Sequence, residues 1–227
     1  GADSDILIEA GIENAELFAA FSGSDELNML SCFIARRMGA KHTIARIRNP
    51  EYNEKSLVFM QQFLNLSMPI NPERSAARYI YNILKLPNAA NVETFSTRNY
   101  EIVELKLKEN TQLSGQRIMD IRKKYRANFL ICAVQRGNDI FIPDGNFIIN
   151  VGDKISLAAE PNEVAKLLKS LGIMQKQSKS VMIVGASRTA YYLSKMLLSS
   201  GSSVKIIEKA PLRISTISRS LTGATII

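Results

Sequence analysis

Apolar positions along this chain switch between two periods, and each switch predicts an element. Ser4–Ala10 has a short helical pattern after an Asp-Ser-Asp opening, and Ala15–Phe21 (AELFAAF) is an apolar run suited to a buried parallel strand. Ser22-Gly23-Ser24-Asp25-Glu26 supplies a capping Ser and two first-turn acids. Leu27, Leu30, Ile34 and Met38 then recur at helical spacing until Gly39 closes the helix. His42–Ile47 reads as the next strand, ending at Arg48-Asn49-Pro50. Helical patterning resumes over roughly Glu51–Leu64 and Pro72–Leu84, with a short Met68-Pro69-Ile70 piece between. Pro87 removes a donor and biases Leu86 out of the helical region, so the second helix should stop near Leu86-Pro87-Asn88, with Asn88–Asn91 as a linker.

From Val92 the pattern changes. Ile102–Leu107 alternates, Gly115–Lys124 is helical, and Phe129–Val134 is an apolar strand. It leads through Gln135-Arg136-Gly137-Asn138-Asp139 into Ile140-Phe141-Ile142, which signals a hairpin. Further turns at Pro143-Asp144-Gly145-Asn146 and Val151-Gly152-Asp153-Lys154 precede a strand at Ile155–Ala159 and a helix at Glu163–Leu171. This reads as a compact α+β module. After a polar linker at Gln175–Lys179, Val181–Glu208 (VMIVGASRTAYYLSKMLLSSGSSVKIIE) reads as strand, tight turn, helix, strand and a closing acid, the opening of a nucleotide-binding βαβ unit.

Composition narrows the class. At 227 residues and 46% hydrophobic content the chain has material for one large core or two small ones. No window approaches the roughly 18 apolar residues of a membrane span, and the opening GADSDILIEAG has neither the basic nor the apolar region of a signal peptide. Cys32 and Cys132 lack CxxC spacing and have no His nearby, so structural thiols in a reducing cytoplasm are expected, and no metal site. The balance of 29 basic and 21 acidic residues gives a net charge of +8. Basic residues are scattered, the largest cluster being Arg122–Lys124 with Arg126. Without zinc-finger spacing or an RNP-type signature they read as a solvated face rather than a nucleic-acid surface.

Candidate chemistry gathers at two turns. In a nucleotide-binding βαβ unit the first turn lets backbone N–H groups approach a pyrophosphate, and an acid ending the second strand bonds ribose hydroxyls. Gly185 and Glu208 hold those places. The usual GxGxxG is reduced to Gly185-Ala186-Ser187-Arg188-Thr189-Ala190. Ala190 suits the close-packing third position, whereas Ser187 puts a side chain at the middle one. A βαβ unit kept as scaffold accounts for the same residues. Ser22, Gly23 and Ser24 form a second candidate, with Arg46 and Arg48 on the adjoining strand; an ordinary helix cap and a surface salt bridge are the alternatives. His42, the only histidine, has no evident carboxylate partner and reads as structural rather than catalytic. No catalytic residue is assigned.

Three segments also carry a family resemblance. Asn14-Ala15-Glu16-Leu17, Ser24–Met29 and Ile44-Ala45-Arg46-Ile47-Arg48-Asn49-Pro50-Glu51-Tyr52 closely resemble the later half of the first nucleotide-binding domain of TrkA-type potassium-uptake regulators, which carry RCK domains. Leu113-Ser114-Gly115, Phe129–Val134 and Pro143-Asp144-Gly145 through Val151-Gly152-Asp153 resemble the small RCK C-terminal domain. Val181–Glu208 is similar to the start of the second nucleotide-binding domain of the same tandem family. The implied fold is α/β, with partial Rossmann-like RCK N-domains at both ends flanking a small α+β C-terminal domain. The divisions expected are 1–71 for the back half of the first N-domain, 72–91 for a helical linker, 92–173 for the C-terminal domain and 179–227 for the front half of the second N-domain. Since nineteen residues follow Glu208 and the first glycine turn is missing, the expectation is an internal excerpt of a tandem protein.

The resemblance implies cofactor contacts at Ser22, Gly23 and Arg46 in the first N-domain and at Gly185, Ala186, Ser187, Arg188, Thr189 and Glu208 in the second. It implies NAD(H), with ATP or ADP as alternatives, and a cytoplasmic regulatory subunit rather than an enzyme. Such subunits assemble as rings against a membrane potassium-conducting subunit of Trk or Ktr type, at the inner face of the plasma membrane. The rival readings are a nicotinamide-dependent oxidoreductase and a small-ligand sensor acting through the middle module, some relatives of which bind a cyclic dinucleotide. The oxidoreductase needs a proton donor near the hydride site that no motif places here.

Overall fold

The computed structural model describes residues 2–52, 54–85, 89–95, 100–109, 111–171 and 179–227. The expected helix end at Leu86-Pro87-Asn88 and most of the linker at Gln175–Lys179 lie outside the described residues. Gly1–Arg78 together with Val181–Ile227 forms one compact unit, and Tyr79–Ser180 forms another.

In the first unit, the opening segment holds α1 (Ser4–Glu9), β1 (Leu17–Ala20), α2 (Asp25–Arg37), β2 (His42–Arg46), α3 (Glu54–Leu64) and β3 (Met68–Ile70), followed by α4 (Pro72–Lys85), which runs on into the second unit. The three strands are parallel in the order β1-β2-β3, with Ala19 opposite Ile44 and Ile44 opposite Met68. Ala20, Met29, Cys32, Ala45, Ile47 and Leu66 form the core beneath α2 and α3. The buried residues of α2 are Asp25, Asn28, Met29, Ser31, Cys32 and Ala35, whereas Leu27 and Leu30 of the expected apolar stripe are 38% and 49% exposed. Small side chains let the helix lie close to β2, near enough for the Cys32 thiol to reach the Ile44 carbonyl at 3.3 Å. The expectation of a buried strand at Ala15–Phe21 is met only at Ala20: among the described residues β1 lies at the edge of its sheet, and Leu17 is 54% exposed.

The closing segment of the same unit runs β9 (Ser180–Val184), α7 (Arg188–Ser199), β10 (Ser203–Ile207), α8 (Pro211–Ser220) and β11 (Thr225–Ile226), with sheet order β11-β10-β9. Val204 and Ile206 of β10 are buried with Ala190, Leu193 and Leu197 of α7 and with Ile217 and Leu221. Each Val, Leu or Ile among them removed from water contributes about 1.5–3 kcal/mol.

The second unit is a five-stranded sheet, β4 (Ala89–Phe95), β5 (Tyr100–Lys106), β8 (Lys154–Ala159), β6 (Phe129–Arg136) and β7 (Asp139–Phe141) in that spatial order. Every pairing is antiparallel, with α5 (Ile118–Tyr125) and α6 (Pro161–Ser170) alongside. Val103 and Leu105, Ile155 and Leu157, and Phe129 and Ile131 point to one core with period-2 alternation, and a register shift between Ile131 and Ala133 brings Val134 to the same core. Gly137 at φ +62 turns the β6–β7 hairpin between the paired Arg136 and Asp139. Residues 89–91, expected to be linker, instead begin β4, where Val92 stands opposite Val103. The strand follows the Pro87-Asn88 signal directly because its ladder comes from the distant β5, a pairing that no local signal marks.

Candidate functional site

The first candidate turn is closed by side chains from two elements. Ser24 caps α2 by accepting from Leu27 N (3.2 Å), and its hydroxyl donates to Glu26 (2.7 Å). That hydroxyl first, and the Tyr52 hydroxyl at 2.9 Å among the further causes, holds the Glu26 carboxyl below its usual range. Asn28, fully buried, ties turn to strand. Its Oδ1 accepts from Ser22 N (2.7 Å) and Ser22 Oγ (2.6 Å), and its Nδ2 donates to the carbonyls of Arg46 (2.9 Å) and Ser22 (3.3 Å). Buried Asp25 accepts from the amides of Arg48 (2.8 Å) and Asn49 (2.7 Å) and lies 3.6 Å from Arg48 Nε.

Both arginines fold over this turn. Arg46 Nη2 donates to the Ser22 carbonyl at 2.7 Å and Arg48 Nη2 to the Gly23 carbonyl at 2.7 Å. Arg46 Nε is buried and has no hydrogen-bond partner among the described residues. A buried, unsatisfied donor on a cation beside a helix N-terminus is a place an anion satisfies. Ser22, Gly23 and Arg46 are therefore together, with Arg48 joining them.

The second turn lies between β9 and α7. Gly185 adopts φ +93, where a side chain is strained, and the space a Cβ would occupy is open. Glu208, buried at the end of β10, reaches back across it. Its Oε2 accepts from Ala186 N (2.8 Å) and its Oε1 from Ala210 N (2.9 Å), with Arg213 Nη1 3.9 Å away. The Ala186 amide first, then that of Ala210, holds the Glu208 carboxyl below its usual range, so it stays an anion and an acceptor. Ser187 is extended (φ −78, ψ 168), and its hydroxyl turns back to accept from Ala190 N at 3.1 Å. The residue at the middle-glycine place thus caps α7. Arg188 is exposed at the first position of α7, and Thr189 is half-buried.

In the sequence Asp25 reads as a first-turn acid, and Asn28 is not distinguished as a tie between turn and strand. The signal available was two polar residues on the face of α2 that packs inward. His42 is exposed at the start of β2. Cys32 is buried, and burial raises its thiol to about 11, while Cys132 is half-buried. No helix among the described residues is long and apolar enough to cross a membrane.

Family models match two stretches: the TrkA-N domain over residues 1–59 and the TrkA-C domain over residues 102–172. The chain is 32% identical over 226 residues to a Trk system potassium uptake protein TrkA homolog of Archaeoglobus fulgidus, covering 100% of this chain and 51% of that protein. It is 29% identical over 220 residues to the Trk system potassium uptake protein TrkA of Vibrio alginolyticus, covering 96% and 48%. The chain thus spans about half the length of these curated relatives. Among solved structures, the GsuK channel superposes with a TM-score of 0.62 at 19% identity, covering all of this chain and 39% of that one. A GsuK channel bound to NAD superposes with a TM-score of 0.59 at 19% identity, covering 93% and 37%. At that identity the likeness speaks to the fold, which is that of RCK domains.

Proposed function

The chain belongs to the TrkA-type RCK regulators, and from that premise we propose that it works as part of a cytoplasmic regulatory subunit of a Trk-type potassium uptake system, in which NAD(H) or an adenine nucleotide controls potassium flux through a membrane partner. The observation that carries the nucleotide reading is Glu208. It is a buried, deprotonated acid at the end of the second βαβ strand, lying over a glycine turn whose conformation and open space suit close approach of a phosphate. In this reading Glu208 accepts from a ribose hydroxyl. Gly185, Ala186 and the α7 start with Ser187, Arg188 and Thr189 face the phosphates. Ser22, Gly23, Arg46 and Arg48 form the corresponding anion-binding turn of the first lobe.

An acid at that place disfavours a 2′-phosphate, so NAD(H), ATP and ADP are the ligands to test. NAD(H) stands first because a channel of like fold was solved with NAD. The subunit acts by binding rather than turnover, assembles as a ring, and meets its potassium-conducting partner at the inner face of the membrane. A ligand shifts such an assembly only by its difference in affinity between conformations.

The test is calorimetric titration of the protein with NADH, NAD+, ATP and ADP, repeated with Glu208→Ala and Arg46→Ala. Loss of affinity in the variants supports the two turns, and unchanged affinity in both removes them. Potassium flux through vesicles carrying the membrane partner, measured with and without nucleotide, tests the regulatory role; a flux indifferent to nucleotide refutes it.

A further inference from the structure

Within the first unit the two lobes meet at Tyr192, on α7. Its hydroxyl donates to the Arg48 carbonyl at 3.2 Å and accepts from Asn71 Nδ2 at 2.9 Å, although Arg48 and Asn71 are 144 and 121 positions away in sequence. Burial raises the Tyr192 hydroxyl above its usual range, so it stays protonated and able to donate. Both of its partners are anchoring residues. Asn71 Oδ1 accepts from Arg74 N (2.9 Å) and its carbonyl from Ser75 N (3.0 Å), starting α4. Arg48 is held through its amide by Asp25 and through its guanidinium by the Gly23 carbonyl. Tyr192 therefore touches the ends of β2 and β3 at the place where the first candidate turn is held shut.

The N-terminus of α7, a little over one turn before Tyr192, begins at the second turn. Glu208 fixes Ala186, the next residue Ser187 caps Ala190, and Tyr191 N donates to the Ser187 carbonyl at 2.9 Å. Hydrogen bonds thus fix the chain from Glu208 through Ala186 and Ser187 to the Tyr191 amide, one residue before Tyr192. A half-buried hydroxyl with both bonds made resists separation, because moving α7 breaks both and leaves the Arg48 carbonyl and the Asn71 amide only their own long 3.5 Å contact. We propose that Tyr192 is a positioning residue coupling the Gly185–Glu208 turn of one lobe to the arginine-bearing strand end of the other, so that a shift at either is felt at both. The ligand that drives the shift, a nucleotide, is taken from the proposed function; the coupling itself is testable without it.

Residue-resolved hydrogen exchange on the whole chain reads the coupling, since exchange reports local opening. The amides to follow are those of Arg48, Asn49, Arg74 and Ser75, each with an assigned acceptor. Tyr192→Phe is expected to speed their exchange about fivefold, the factor for losing a hydroxyl hydrogen bond. Glu208→Ala, although it alters only the second lobe, is expected to speed the same amides, and to add nothing in the Tyr192→Phe background. Amides of Val134 and Leu157 in the other unit serve as the folding control and should be unchanged. The proposal is overturned if Glu208→Ala leaves the first-lobe amides at their original rate, if its effect is the same with and without the Tyr192 hydroxyl, or if Tyr192→Phe alone changes nothing. Added NADH should slow exchange at Ala186 and, through Tyr192, at Arg48. Absence of any NADH effect counts against the nucleotide reading, while the ligand-free comparison still decides the coupling.

Discussion

Asp153→Asn is expected to weaken the second unit by about 3 kcal/mol at neutral pH. Asp153 is fully buried and accepts three hydrogen bonds: from Arg136 Nε at 2.8 Å, Arg136 Nη2 at 2.9 Å and the Asn150 amide at 2.8 Å. The same guanidinium donates to the Ile148 carbonyl at 3.0 Å and lies 5.3 Å from the Phe147 ring, so the pair ties the end of β6 to the turn that enters β8. An asparagine keeps the shape but presents an NH2 group to donors on one side. With its oxygen at the Oδ2 place it keeps two of the three bonds in weaker, uncharged form and sets its NH2 against Arg136 Nε, and bonds to a charged group contribute about 1.5–3 kcal/mol each. The guanidinium is 41% exposed and regains water, which moderates the larger penalty of a stranded buried charge and leaves about 3 kcal/mol, or roughly a hundredfold in local opening.

The pH dependence gives the sharper check. The bonds from Arg136 lead the causes that hold the Asp153 carboxyl below its usual range. A depressed carboxyl contributes stability that is complete above its unfolded pKa, near 4, and is lost as pH falls through the lower folded value. Wild type and variant should therefore differ fully at pH 7, begin to converge below about pH 4 and meet only below the lower folded value. The assay is native-state exchange of the β6 and β8 amides, corrected for intrinsic rates at each pH. A difference under about 0.5 kcal/mol at pH 7, or one that stays constant into acid, refutes the reasoning.

Gly185→Ala should cost about 1–2 kcal/mol through backbone strain alone, since the Cβ meets nothing; an unchanged melting temperature would show that the turn does not need its left-handed conformation. Asn28→Ala strips both the Ser22 turn and the Arg46 carbonyl of their shared partner, and about 2 kcal/mol of lost stability with faster exchange at Ser22 is expected; denaturant titration and exchange check both. Under native conditions a thiol reagent should modify half-buried Cys132 first, because the Cys32 thiol is buried and raised to about 11; mass spectrometry showing equal early labelling would contradict this.

Element type and order were legible in the sequence wherever the signal was local. Ser24 and Ser187 stand where helices start, Gly185 and Gly137 where the chain needs positive φ; alternation marks β5 and an apolar run marks β6. These depend on a few neighbouring dihedrals and side chains, which the chain carries wherever it folds. Tertiary structure alone decided that the small-residue face of α2 packs inward while Leu27 and Leu30 face out, that β1 is an edge strand, and that residues 89–91 join a sheet. It also decided the partners of the polar residues: Asn28 with Arg46, Arg136 with Asp153, and Tyr192 with Asn71. A lone Asn, Asp or Tyr has the same donors and acceptors in any setting. Its role is fixed only when burial removes water and leaves one distant group in reach, so the two turns could be located from sequence while the contacts holding them could not.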